Sequence, residues 1–84
     1  MRTIAEIHYP KCRISIFLWN QKYLVKFEQE GLEQTFKINQ FDVLSEDKLK
    51  EMINDEFIGS ALKRFDEMRD AIKKVLQSGK TTGD

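Results

Sequence analysis

The sequence predicts an α+β domain: a four-stranded antiparallel meander followed by one long, bent C-terminal helix over 46–77. Three observations predict it. A ten-residue beat runs from Arg2 to Asn39, with extended segments 2–9, 12–19, 22–29 and 32–39. Two-residue turn candidates separate them, Pro10-Lys11, Asn20-Gln21 and Glu30-Gly31. After Ser45 the period changes from two to between three and four, and no proline interrupts it before Gln77.

Folding the segments about those turns sorts the side chains onto two faces. The inner rows read Thr3–Leu18–Tyr23–Ile38, Ala5–Ile16–Val25–Phe36, Ile7–Ile14–Phe27–Gln34 and Tyr9–Cys12–Gln29–Leu32, almost wholly apolar. Directly opposed residues are the unit of sheet stabilisation, and a one-residue slip would exchange the faces. Agreement at three independent turns therefore specifies the register. Pro10 fits the first corner of a turn, where its fixed φ suits and its missing N–H is not needed. Gly31 tolerates the positive φ of a tight hairpin; Asn20-Gln21 is the weakest of the three signals. A bent, continuous strand through Pro10 is the competing reading.

The outer rows read Arg2–Trp19–Lys22–Asn39, Ile4–Phe17–Leu24–Lys37, Glu6–Ser15–Lys26–Thr35 and His8–Arg13–Glu28–Glu33. This face is polar except for Ile4, Phe17, Trp19 and Leu24 at one end, ringed by Arg2, Lys22, Lys26 and Lys37. Contiguous exposed apolar groups across several strands usually mark a contact surface.

Residues 39–44 connect sheet to helix and offer Phe41, Val43 and Leu44 for burial. Ser45 is the expected N-cap, with Glu46 and Asp47 in the first turn where the dipole favours acids. Leu49, Met52, Ile53 and Phe57 form one stripe. Ile58, Ala61, Phe65, Met68, Ile72 and Val75 form a second, heptad-like seam, out of phase with the first, so a bend or break is expected between Asn54 and Gly59. The expected 32 helical residues would span about 48 Å, against about 27 Å for an eight-residue strand. The excess apolar stripe needs a second surface, and a second subunit supplies one. The seam residues from Ile58 to Val75 are accordingly the candidate oligomer interface.

The chain has 84 residues, 40% apolar and 33% charged, with 14 basic and 14 acidic side chains. That reads as one soluble globular domain over 1–78 with a small, polar, disordered tail over 79–84, and it buries only about 60% of its unfolded surface. Self-association is a common remedy at this size. Charge neutrality counts against a dedicated nucleic-acid binder. The single cysteine, Cys12, and the lack of an apolar leader point to a reducing cytoplasm, and no stretch approaches a membrane span.

Chemistry-bearing motifs are scarce. His8 is the only histidine, and the register places it outside while Cys12 lies inside, so the two do not form a metal site. No glycine-rich phosphate loop, zinc spacing or nucleophile elbow occurs. No cofactor is implied, and the expectation is a non-enzymatic protein. Two functional readings remain. The first is an interaction module that forms a homodimer or higher oligomer. The second is a single-stranded DNA- or RNA-binding regulator in which Phe17 and Trp19 stack on bases while Arg2, Arg13, Lys22, Lys26 and Lys37 meet phosphates; packing against a partner subunit or the far end of the helix is the heavier account of the same surface.

The strings Thr3-Ile-Ala-Glu-Ile-His, Ile16-Phe-Leu-Trp-Asn and Leu32-Glu-Gln-Thr-Phe-Lys-Ile resemble a family of short uncharacterised bacterial proteins, over nearly the whole chain, and imply no activity. The order of four meandering strands and one long helix is similar to the Whirly and guide-RNA-binding type of single-stranded nucleic-acid regulator. That likeness is topological and implies a helix-swapped dimer of a β4α unit.

Overall fold

In the computed structural model the ten-residue beat becomes four eight-residue strands, β1 (Arg2–Tyr9), β2 (Cys12–Trp19), β3 (Lys22–Gln29) and β4 (Leu32–Asn39), in sheet order β1-β2-β3-β4. Backbone is described for residues 1–82 and side chains for residues 1–78; the expected tail, 79–84, lies outside the described side chains. The two later turns explain the regularity. Asn20 and Gln21 have φ of 54° and 65°, and Glu30 and Gly31 have 46° and 82°. Two left-handed residues in succession make the tight turn whose twist matches the flanking strands. Pro10 and Lys11 keep negative φ, yet β1 and β2 pair antiparallel from Tyr9–Cys12 onward. Pro10 is thus a corner, and the continuous-strand alternative is set aside.

The β2–β3 and β3–β4 registers follow the expected rows. The β1–β2 register follows them from Ala5–Ile16 to Tyr9–Cys12 and then shifts between Thr3 and Ala5. Arg2 pairs with Leu18 and Thr3 with Phe17, where alternation predicts Arg2–Trp19, Thr3–Leu18 and Ile4–Phe17. The extra residue, Ile4, is left unpaired, and the residues before it take the opposite face from the one alternation gives them. Ile4 consequently packs against the core beside Ala5. Arg2 joins the helix side and donates to Glu46 Oε2 at 2.8 Å.

The helical part is two helices, not one. A 3-10 turn (Gln40–Asp42) leads to α1 (Glu46–Met52), and α2 (Asp55–Thr82) follows. Ser45 caps α1 as expected, its hydroxyl accepting from the Lys48 N–H at 3.1 Å. The break falls at Ile53-Asn54, at the N-terminal edge of the expected window, and not because of Gly59, which sits within α2. Asn54 makes the break: its Oδ1 accepts from the Phe57 N–H at 2.9 Å, satisfying a donor that has no intrahelical partner. Restarting the helix there brings the phase of the Leu49–Ile53 stripe and that of the Ile58–Phe65 seam onto the same sheet face.

The core lies between that face and the helices. Ile14, Ile16, Val25, Phe27, Leu49, Ala61 and Phe65 are all at most 1% exposed. Three aromatic rings lock the start of α2 onto β3 and β4. Phe57 stands edge-on to Phe27 at 5.6 Å and lies 5.2 Å from Phe36, and Phe27 meets Phe36 edge-on at 5.9 Å. Two connector residues depart from expectation: Phe41 and Leu44 are exposed, Leu44 at 92%, and only Val43 packs against the core. The 3-10 turn, held by Gln40 N–H on the Gln21 carbonyl at 2.9 Å, carries them off the end of the sheet.

Candidate functional site

The sheet has one helix-covered face and one open face, and the open face is where the sequence places its contact cluster. Phe17 and Leu24 oppose each other there, both partly exposed, and Trp19 opposes Lys22 with half its surface open, 53%. Ile4 has left this cluster and Arg2 has left its basic ring, both through the β1 bulge. The apolar patch therefore spans two strands rather than three.

Charge on this face is largely self-neutralised. Arg13 donates to Glu6 Oε1 at 2.7 Å, and that hydrogen bond, with the carboxylate charge, pushes the guanidinium further toward the protonated form. Lys26 lies 3.6 Å from Glu33 and 4.0 Å from Glu28, and so bridges two carboxylates that the register sets directly opposite each other. Ser15, ringed by these longer side chains, is buried at 3%. Among the described residues Lys22 and Lys37 make no ion pair. Of the candidate nucleic-acid set, then, Phe17, Trp19, Lys22 and Lys37 share the open face, Arg13 and Lys26 are committed to acids, and Arg2 faces the helices.

The candidate interface set divides as well. Ile58, Ala61 and Phe65 fill the chain's own core, and Met68 packs at its margin. Ile72 and Val75 are exposed, with Leu76 beside them, at 46%, 69% and 59%. The division has a geometric cause. From Phe57 to Arg69, α2 rises about 18 Å, close to the ~17 Å of strand between Phe36 and Gly31. At the end of that run Arg69 is anchored: it donates to Gln29 Oε1 and to Asp66, and lies 3.6 Å from Glu30. Past Arg69 the helix has no sheet beneath it, and three large apolar side chains project from it into solvent.

A recess of about 640 Å³ lies at this end of the sheet, between Pro10, Lys11, Glu30 and Arg69. Gln29 spans it, its Nε2 donating to the Lys11 carbonyl at 2.8 Å and its Oε1 accepting from Arg69. Cys12 borders it and is buried at 8%, and burial pushes its thiol up from the ordinary value. Cys12 should therefore label slowly with a thiol reagent in the native protein and rapidly in denaturant. Arg13→Ala, which removes only an exposed ion pair, should leave stability within about 1 kcal/mol. Native labelling as fast as denatured labelling would contradict the placement of Cys12 in the core.

A second, apolar groove of about 520 Å³ runs between β4 and the α1–α2 break, lined by Phe36, Ile38, Leu49, Met52, Ile53 and Phe57 among others. Beside it Gln34 Nε2 donates to the Ala61 carbonyl at 2.8 Å, while Gln34 Oε1 is buried without a partner among the described residues. Among the described residues no group of three or more His, Cys, Asp or Glu could hold a metal, and no helix is long and apolar enough to cross a membrane.

Sequence reasoning missed the β4 groove, because its walls come from a strand, a short helix and a cap that only the tertiary fold brings together. Comparison with known proteins finds no family model, curated relative or solved structure that matches this chain.

Proposed function

We propose that this chain works as a non-enzymatic, self-associating interaction module. The observation that carries the reading is the run of α2 beyond Arg69, which presents Ile72, Val75 and Leu76 to solvent just past the ion pair of Arg69 with Glu30. Three large apolar side chains on one helix, in a chain whose own core ends before them, form a contact surface of the kind monomers rarely leave open. A second copy supplies apolar surface of the same character. Association of this sort links stability to concentration. A hundredfold rise in protein concentration should raise the thermal midpoint by roughly 5 °C or more; a midpoint independent of concentration would contradict the reading.

One observation favours a second reading, a single-stranded nucleic-acid regulator that uses the open sheet face. Trp19 stands half exposed beside Lys22, with Phe17 and Leu24 next to it. Base stacking there would quench the fluorescence of the only tryptophan, in a manner that weakens as salt rises. Self-neutralisation of Arg13 and Lys26 leaves that face with two uncommitted lysines, and for this reason self-association ranks first.

A further inference from the structure

We propose that β4 is the pairing edge of the assembly, joining antiparallel to β4 of a second copy about a two-fold axis at Thr35. The inference rests on the self-association reading above and names its geometry.

The two edges of the sheet differ. β1 is interrupted by the bulge at Ile4, and a bulge is one of the devices by which an edge strand avoids pairing with another chain. β4 runs eight residues against β3 with no register shift. The Glu30-Gly31 turn makes Gln29–Leu32 the closing hydrogen-bonded pair. Alternation along an antiparallel ladder then turns the N–H and C=O groups of Leu32, Gln34, Phe36 and Ile38 toward β3, and those of Glu33, Thr35 and Lys37 outward. Among the described residues no backbone group of those three has a partner outside the sheet.

Parity restricts the registers in which this edge can meet a copy of itself, since outward-facing residues must oppose outward-facing residues. The register centred on Thr35 sets Glu33 against the partner's Lys37 and Lys37 against the partner's Glu33. Moving the centre by one residue in either direction loses both pairs. The charges fit the state of the free chain: Glu33 and Glu28 share one lysine, while Lys37 pairs with no acid among the described residues. On the helix face the same register sets Leu32 against the partner's Ile38, next to the apolar groove at Phe36, Met52 and Phe57. It also sets Gly31 beside the partner's Asn39. The exposed end of α2 leaves the sheet at Gly31, and the exposed Phe41 and Leu44 follow Asn39. One two-fold axis thereby brings the apolar groups left over by each chain to the same end of the other.

The test uses the full chain and reads mass by light scattering, with far-UV circular dichroism and Cys12 protection as checks on the fold. Thr35→Pro removes an N–H that β3 does not use, at an edge position where proline is tolerated. It should leave the fold intact and the protein monomeric. Glu33→Lys should weaken the dimer at least about tenfold, because it turns two attractions into repulsions. Combining it with Lys37→Glu should restore native affinity. Dimeric wild type with Thr35→Pro still dimeric, or with the double exchange no better than Glu33→Lys, would overturn the β4 geometry while leaving self-association in place. Monomeric wild type would overturn both.

Discussion

Phe65→Asp should leave the chain unfolded at room temperature. Phe65 is fully buried at the centre of the α2–sheet contact, among Ile14, Ile16 and Phe27 in one core. Removing a buried phenylalanine costs about 3–5 kcal/mol by itself. A carboxylate placed there without a partner adds several more, or must take up a proton. A domain of this size has about 5 kcal/mol in hand, near the low end for folded proteins. Loss of far-UV helical signal and rapid Cys12 labelling would report the collapse. A folded, protected Phe65→Asp protein would mean that α2 does not lie on the sheet.

The same substitution two and three turns further on should behave differently. Ile72→Asp combined with Leu76→Asp changes two exposed side chains, so the fold should lose only about 1 kcal/mol through helix propensity and local contacts. The dimer should dissociate, since each carboxylate would be carried into an apolar contact with the partner. The expected result is a folded monomer, recognised by native-like circular dichroism at half the mass. Sequence alone groups Phe65 with Ile72, as neighbours in one heptad-like seam. The structure separates them, because the sheet ends beneath Arg69 and the seam does not.

This contrast shows which parts of the molecule are legible in the chain. Strand boundaries and two of three registers can be read directly, because turn chemistry and period-two alternation are local and both are strong here. Cys12 is legible for the same reason. The β1 bulge is not: Ile4 and Ala5 both suit the core, and nothing in Arg2-Thr3-Ile4 marks the residue that goes unpaired. That one residue removes Ile4 and Arg2 from the open face, which alters the candidate nucleic-acid surface more than any other feature. The break at Asn54 is legible as a phase shift, but its cause is a cap rather than the glycine nearby. Phe41 and Leu44 mislead because hydrophobicity marks a residue as needing cover without saying whose surface covers it. The β4 edge and its groove lie furthest from sequence reading, as they depend on which strand ends the sheet and on where two short elements meet.

Self-association is the claim on which the function, the role of the α2 overhang and the β4 geometry all depend. Sedimentation velocity of the untagged protein at micromolar concentration tests it most directly. The account predicts a species near twice the 9.9 kDa chain mass, about 20 kDa, giving way to monomer on dilution. A single 9.9 kDa species across the whole concentration range would contradict it.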